Sequence, residues 1–212
     1  MEILDQLGRQ PVLPILNLAD RDSALRITEA LVKGGINAFE ITLRSPEAMD
    51  ALQTVRKEFP DLTLGAGTIL DKEQLSQVKD GGIDFGVSPG WSDGLWEHSQ
   101  ELELLFFPGI VTPTELTHAH RSGCHVLKVF PIEPAGGIAY LKSLIAPFRA
   151  LGIRYLPTGG IDRSKVAPYL LDDAVVTVGG SWLTPKDLID KKEFGKITEL
   201  AIASLSLGNQ DQ

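Results

Sequence analysis

Lys128 lies inside a short apolar run, residues 126–130, whose pattern is typical of a buried strand. A charged amine is costly to bury, and an amine that loses its proton becomes a nucleophile. The alternative is a lysine near a strand end whose aliphatic stem packs on apolar neighbours while its ammonium reaches water. The surrounding side chains decide between the two interpretations.

A second strand-like run, residues 39–44, alternates apolar and functional side chains. Because successive side chains of a strand point to opposite faces, Glu40, Thr42 and Arg44 share one face and the apolar residues share the other. The alternative interpretation is a structural ion pair between Glu40 and Arg44 at a strand end, with no role in a reaction. In a barrel these three side chains and Lys128 would project toward the axis or the rim.

An amine, a carboxylate and a guanidinium at one rim suit imine chemistry on a keto acid. Lys128 would form the imine, and Arg44 would bind the substrate carboxylate through two parallel hydrogen bonds, which its planar guanidinium matches. Glu40 would move protons during carbinolamine dehydration and at the carbon next to the imine. The sequence therefore predicts three side chains with three different roles.

Eight strand-like runs alternate with helical segments along the chain. This alternation favours parallel strands, either in an open doubly wound sheet or in a closed (β/α)8 barrel. Eight similar units without a topological break favour the α/β class with one (β/α)8 TIM barrel over residues 1–212, preceded by a short N-terminal helix. The predicted strands are residues 12–16, 38–43, 62–65, 84–87, 104–107, 126–130, 154–157 and 175–179, and the clearest helical patterns are residues 23–33, 46–58, 72–80 and 114–122.

Glycine-rich loops follow the strands and should line the C-terminal rim, where barrel active sites are built. The loops after strands seven and eight would let backbone N–H groups approach an anion, and barrel enzymes often bind phosphate there. The glycines at positions 65 and 67 lack the third glycine of a dinucleotide fingerprint, so their loop is expected to approach substrate while Thr68 presents a hydroxyl. These two loops are Thr158-Gly159-Gly160 and Gly179-Gly180-Ser181.

Composition excludes several functional classes. The 212 residues are 43% hydrophobic, and 28 acidic against 20 basic side chains give a formal charge of −8, so nucleic-acid binding and an anionic membrane surface are not expected. The chain shows no secretion signal and no apolar run of membrane-spanning length. Cys124, the single cysteine, cannot form an intramolecular disulfide and fits a small buried thiol in a reducing cytosol.

Histidine spacing does not favour a metal site. His118 and His120 lie two apart on a predicted helix, whereas helical ligand pairs are four apart, and His98 and His125 have no evident partners. We expect surface or packing roles for all four. The aromatic residues near Trp91 and Trp96 are also expected to pack, because basic residues do not interleave with them.

The chain resembles the 2-dehydro-3-deoxy-phosphogluconate aldolase / 4-hydroxy-2-oxoglutarate aldolase family, class I aldolases on a small (β/α)8 barrel. The resemblance spans nearly the whole chain, and its motifs are highly specific in combination. They are Glu40-Ile41-Thr42-Leu43-Arg44, Gly65-Ala66-Gly67-Thr68, Ser88-Pro89-Gly90, Pro108-Gly109, Lys128-Val129-Phe130-Pro131, Thr158-Gly159-Gly160-Ile161 and Gly179-Gly180-Ser181-Trp182.

The resemblance implies a role for each matched position. It implies Lys128 as the Schiff-base lysine, Glu40 as the general acid and base, and Arg44 and Thr68 as contacts to the pyruvate-derived part, with Pro89 and Phe130 lining the substrate. The Thr158 loop and the Gly180 loop would face the phosphate-bearing end or its neighbouring hydroxyls. It further implies a cytoplasmic homotrimer in carbohydrate metabolism, in the Entner-Doudoroff pathway, without cofactor or metal.

Two positions bear on the choice of substrate. After the lysine the family often reads Phe-Phe-Pro-Ala, whereas this chain has Ile132 in the last position, which bears on the preference for the acceptor aldehyde. Relatives that act on the galactonate epimer tend to carry a branched apolar residue where Thr158 stands. A hydroxyl that hydrogen-bonds one epimer discriminates better than an apolar wall, so Thr158 favours the gluconate substrate.

The leading hypothesis is reversible cleavage of 2-dehydro-3-deoxy-6-phosphogluconate (KDPG) to pyruvate and glyceraldehyde 3-phosphate, with 4-hydroxy-2-oxoglutarate (KHG) as a second substrate. The alternatives are the galactonate epimer as substrate, or a sugar-phosphate isomerase or epimerase in which Glu40 is the base and Lys128 stabilises charge. A third hypothesis is a sugar-phosphate sensor without catalysis, because a fold alone does not determine function.

Overall fold

The computed structural model describes residues 2–18 and 20–208. The strands are β1 (Val12–Leu16), β2 (Ala38–Thr42), β3 (Thr63–Gly67), β4 (Phe85–Val87), β5 (Leu105–Phe107), β6 (Gly109–Ile110), β7 (Val126–Val129), β8 (Arg154–Pro157) and β9 (Val178–Gly180). The helices are α1 (Glu2–Gly8), α2 (Arg21–Lys33), α3 (Ala48–Glu58), α4 (Lys72–Asp80), α5 (Asp93–Glu101), α6 (Pro113–Arg121), α7 (Ile132–Ala135), α8 (Gly137–Ile145), α9 (Val166–Leu170), α10 (Lys186–Asp190) and α11 (Phe194–Leu205). Short 3-10 helices cover Ala146–Leu151, Arg163–Lys165 and Ser206–Gly208.

The strands predicted over residues 38–43, 62–65, 84–87, 104–107 and 126–130 correspond to β2, β3, β4, β5 and β7, with ends that differ by one or two residues. An additional strand, β6, follows β5 after Pro108, which has no N–H to donate to a neighbouring strand. The last predicted strand begins at Val178 rather than at residue 175, because the N–H of Val175 bonds back to the Asp172 carbonyl oxygen at 2.9 Å. The predicted N-terminal helix is confirmed as α1, and β1, β8 and α4 have the predicted bounds.

All paired strands are parallel. Six of them form a curled sheet in the order β5-β4-β3-β2-β1-β9, and three form a second sheet in the order β6-β7-β8. Single bridges pair Tyr155 with Val175 and Thr158 with Gly179, next to or on β8 and β9. The structure is therefore an α/β fold whose parallel strands curl into a half-barrel, with helices between all successive strands except β5 and β6.

Two apolar clusters lie on the two sides of the strands. The larger one packs outward-facing residues such as Phe39, Ile41, Leu127 and Val129 against the helices. The smaller one contains Leu7, Leu13, Ala38, Phe85, Val87, Phe107, Leu156 and Val176. This division confirms the predicted alternation, and the smaller cluster forms an apolar floor on the face that carries Glu40 and Lys128.

Within residues 2–18 and 20–208, no helix has the length and apolar character needed to cross a membrane.

Candidate active site

Lys128 lies on β7 with its ammonium inside the protein. The residue is 7% exposed, and its backbone pairs with Gly109 on one side and Leu156 on the other. Its Nζ is 3.8 Å from Glu40 Oε1 and 5.3 Å from the centre of the Phe130 ring. The ammonium is therefore held against a carboxylate and an aromatic face rather than extended into water.

Glu40 lies on β2 of the six-stranded sheet, whereas Lys128 belongs to the three-stranded sheet, and Glu40 is 2% exposed. Within the described residues its Oε1 is buried and accepts no hydrogen bond. A buried carboxylate oxygen without a donor is costly, since folding removes its water and supplies no replacement. An oxygen in this state, beside an amine, is suited to accept a proton from a bound reactant.

Arg44 follows β2 at the rim and does not pair with Glu40. Its Nε donates a hydrogen bond to Thr68 Oγ1 at 3.3 Å, which links the loop after β2 to the loop after β3. Thr68 has a φ of +61°, a conformation that is costly for a β-branched residue and is often found at functional sites. The two terminal nitrogens of Arg44 make no hydrogen bond to the described residues and suit a carboxylate.

Pro89 lies beside the Lys128 strand because its loop packs on Gly109. A Cβ at Gly109 would lie 2.8 Å from the Gly90 backbone nitrogen and closer still to the Pro89 carbonyl. Gly109 is also the backbone partner of Lys128. The absence of a side chain at Gly109 therefore lets the Pro89 loop approach the lysine strand.

The loop after β8 packs against the segment that follows Lys128. Gly159 and Gly160 have φ values of +102° and +83°, which glycine adopts readily. A Cβ at Gly159 would lie 2.9 Å from the Phe130 ring. Thr158 is 6% exposed; its hydroxyl donates to the Leu156 carbonyl oxygen at 3.2 Å, and its own backbone carbonyl accepts from the Ile132 N–H at 2.9 Å. These contacts hold the predicted anion loop next to the lysine strand.

A cavity of about 910 Å³ opens at the rim beside these loops. Its lining includes both Arg44 and Ser181, so two of the predicted binding residues share one cavity. Lys128 and Glu40 are not part of this lining. Its volume is in the range typical of ligand sites. The lining consists of Ile15, Asn17, Leu18, Asp20, Ser23, Arg44, Ser45, Ser181, Trp182, Thr184, Pro185, Lys186, Ile189, Asp190 and Lys192.

The model of the KDPG and KHG aldolase family matches residues 3–200. The chain belongs to this family. KHG/KDPG aldolase of Escherichia coli K12 is 37% identical over 191 residues, which are 90% of this chain and 89% of that protein.

Two solved structures of KDPG aldolases are similar to this one. The structure from Legionella pneumophila, with pyruvate captured as a covalent carbinolamine, has a TM-score of 0.91 and 35% identity, covering 96% of this chain and 98% of that one. The structure from Zymomonas mobilis ZM4 with 3-phosphoglycerate has a TM-score of 0.89 and 36% identity, covering 96% and 95%.

Sequence reasoning missed some features of this aldolase family member's site. Lys186 and Lys192 line the rim cavity, but no motif or spacing in their segment predicts that they lie there. Trp182 Nε1 is buried and donates no hydrogen bond within the described residues. The motif Gly179-Gly180-Ser181-Trp182 is the sequence signal that includes this tryptophan.

The described residues contain no group of three side chains suited to hold a metal ion. The predicted packing role of Cys124 fits its surroundings, since burial raises the pKa of its thiol to about 12 and leaves it unreactive. His118 lies at the surface, 2.5 Å from Asp93, and its ring meets Trp91 edge to face.

Proposed function

We propose that this enzyme is a class I aldolase that reversibly cleaves KDPG to pyruvate and glyceraldehyde 3-phosphate. The observation that carries the proposal is the buried Lys128 amine at 3.8 Å from the buried Glu40 carboxylate. Family membership supports the same reaction, because the relatives of this chain are KHG/KDPG aldolases. KHG, which would give pyruvate and glyoxylate, is a second substrate of the same type.

Lys128 supplies the nucleophile. Its neutral amine adds to the C2 ketone to form a carbinolamine, which loses water to give a protonated imine. Glu40, directly or through water, takes the proton of the C4 hydroxyl, the C3–C4 bond breaks, and its electron pair enters the imine to form an enamine. Glyceraldehyde 3-phosphate leaves, the enamine is protonated at C3, and hydrolysis releases pyruvate and the free amine.

The substrate carboxylate is assigned to the loops after β2 and β3. Arg44 binds it through its terminal nitrogens, Thr68 orients Arg44, and Pro89 and Phe130 form the walls around the keto acid. The Legionella pneumophila enzyme, in which pyruvate was captured as a covalent carbinolamine, supports a covalent adduct of pyruvate with an amine of this chain.

The phosphate is assigned to the loops after β8 and β9. Backbone N–H groups at glycines approach a phosphate closely, and barrel enzymes commonly use this pair of loops for it. The Zymomonas mobilis structure with 3-phosphoglycerate supports a phosphate site in this family. The assigned residues are Thr158, Gly159, Gly160, Gly180 and Ser181.

Reductive trapping tests the reaction class. Borohydride with pyruvate should add a stable mass to the peptide that contains Lys128 and inactivate the enzyme. Lys128→Arg should remove both the adduct and cleavage, whereas Lys142→Arg, at an exposed lysine of α8, should change neither. An adduct on another lysine, or none, would overturn the mechanism, and proton exchange without cleavage would indicate an isomerase.

Comparison of the two epimers tests the substrate. We expect faster cleavage of the gluconate-derived than of the galactonate-derived compound, because the Thr158 hydroxyl discriminates between them. Thr158→Val should reduce that preference. A preference for the galactonate compound would overturn this assignment.

We further propose that the two sheets close as one (β/α)8 barrel, that residues 1–212 form a single domain, and that the enzyme is a cytoplasmic homotrimer. The single bridges between the β8 and β9 segments support closure. Leu171, at 81% exposure, and Leu70, at 64%, are apolar side chains that subunit contacts would cover. Light scattering should give three times the chain mass; a monomer would overturn the assembly.

A further inference from the structure

Gly67 lies on β3 beneath the carboxylate of Glu40. A Cβ at this position would lie 2.8 Å from Glu40 Cγ and 2.5 Å from Cδ, and closer still to Oε1. Such separations are shorter than non-bonded carbon atoms tolerate. The carboxylate therefore occupies the volume that any larger residue at Gly67 would fill.

The register of the strands explains this contact. β2 pairs with β3 so that Glu40 lies opposite Gly65 and Thr42 lies opposite Gly67. The side chain of Glu40 leans along the strand and reaches Gly67 on the diagonal, toward the rim. The Phe85 ring, on the neighbouring strand β4, occupies the space above Gly65, because a Cβ there would lie 2.8 Å or less from its ring atoms.

We propose that Gly67 is a positioning residue that sets where the Glu40 carboxylate lies relative to the Lys128 amine. This inference rests on the proposed aldolase reaction, in which Glu40 transfers protons. Glu40 Oε1 has no hydrogen-bond partner among the described residues, so contacts with its surroundings, rather than hydrogen bonds, fix that oxygen. The Gly67 surface on one side and Lys128 Nζ at 3.8 Å on the other define its position.

Gly67→Ala displaces the end of a flexible side chain, so the protein should fold while the carboxylate moves by about 1 Å. Misplacement of a catalytic group by that distance costs on the order of 100-fold in rate. We expect cleavage and the exchange of pyruvate methyl protons with D2O to fall by about 10- to 100-fold. Borohydride trapping of pyruvate on Lys128 should still reach completion, because the amine is untouched.

Gly86→Ala is the matched control, on the neighbouring strand β4. Its new methyl group would lie 2.8 Å from Ile69 Cδ1 and 3.1 Å from the Phe106 ring, both in the larger apolar cluster rather than beside Glu40, so it should lower the urea midpoint and leave proton exchange per folded molecule unchanged. Gly67→Ala with unchanged exchange, or with trapping and exchange lost together, would overturn the proposal.

A double-mutant cycle gives a second readout. Glu40→Asp shortens the side chain and should slow exchange less in the Gly67→Ala background than in the parent enzyme. If Gly67→Ala fails to fold, Gly67→Ala/Glu40→Ala should recover the stability of Glu40→Ala, and a double variant that stays unfolded overturns the proposal. If the parent enzyme does not trap pyruvate, the proposed aldolase reaction is wrong. The stabilities of the single and double variants then still test the contact between Gly67 and Glu40.

Discussion

At the scale of single residues, burial of the pair formed by Lys128 and Glu40 lowers the stability of the folded protein. Both side chains are under a tenth exposed, and a buried ion pair of this kind often contributes less stability than apolar residues of the same volume. Their separation of 3.8 Å, without a hydrogen bond to Oε1, is a poor geometry for stabilising either charge. The arrangement makes physical sense when both groups exchange protons with a substrate.

Glu40→Gln tests the proton-transfer role. The amide keeps the volume but cannot accept a proton, so KDPG cleavage should fall by about 10²- to 10⁴-fold, the usual contribution of general acid–base catalysis. Borohydride trapping with pyruvate should still label Lys128. Glu58→Gln, at an exposed position at the end of α3, should leave the rate unchanged. Full activity in Glu40→Gln would refute the assignment.

Arg44→Lys tests the carboxylate contact. Lysine keeps the charge but loses the two parallel hydrogen bonds, and hydrogen bonds to charged groups contribute about 1.5–3 kcal/mol each. We expect KM for KDPG to rise by roughly 10- to 100-fold with a smaller change in kcat. Steady-state kinetics would show this, with Arg26→Lys on the exposed face of α2 as the control. An unchanged KM would place the carboxylate elsewhere.

At the scale of elements, α7 connects the lysine strand to the anion loop. The Glu133 N–H donates to the Gly159 carbonyl at 3.0 Å. Glu133 Oε1 accepts from the Tyr169 hydroxyl at 2.6 Å, and Oε2 lies 2.9 Å from Lys165 Nζ. Tyr169 is 1% exposed, so this network ties α7 to α9 and to the loop after β8.

Glu133→Gln should lower stability in a pH-dependent way. Burial and the nearby Asp162 raise the pKa of Glu133, but hydrogen bonds from Tyr169 and Lys165 outweigh them and hold that pKa below its ordinary value of 4.5. A lowered pKa in the folded state stabilises the protein above the unfolded-state pKa, and this contribution is lost as pH falls.

The stability difference between the parent enzyme and Glu133→Gln should therefore be largest near neutral pH and shrink below about pH 4.5. Urea unfolding across this pH range measures it. The exposed Glu29→Gln on α2 serves as the control. A difference that grows on acidification would contradict the network.

The limits of the sequence are also clearest at this scale. Alternation with a period of two was enough to predict that Glu40, Arg44 and Lys128 face the site, because the period of a strand is local. Two contacts could not be predicted in this way: that of Tyr169 with Glu133 and that of Glu40 with Gly67. Both depend on strand register or on residues far apart in sequence. The start of the last strand was also predicted wrongly, since a turn at Asp172 takes the N–H of Val175.

At the scale of the whole molecule, the junction between β8 and β9 decides whether the two sheets act as one unit. Thr158 pairs with Gly179 there, in one of two single bridges. The same junction carries the two proposed phosphate loops, so closure of the barrel and assembly of the phosphate site depend on the same contact. A disturbance at this point should affect stability and substrate affinity together.

Gly179→Ala tests that coupling. A Cβ at Gly179 would lie 3.0 Å from both Ile15 Cδ1 and Thr158 Cγ2, and closer to Thr158 Oγ1, so the side chains packed between these strands must shift. Overpacking of this kind costs about 1–3 kcal/mol, which should appear as a lower urea midpoint. If the chain is one cooperative domain, circular dichroism and tryptophan fluorescence should shift together. KM for KDPG should rise as well.

Gly195→Ala is the matched control for this prediction, because a Cβ there meets no atom within 4 Å. Replacing glycine by alanine at a compatible site reduces the entropy of the unfolded chain, so this variant should be as stable as the parent or up to about 1 kcal/mol more stable. Separate transitions by the two probes in Gly179→Ala would show that the sheets unfold independently. The proposed closed barrel would then be wrong, since a closed barrel cannot lose one of its sheets and keep the other.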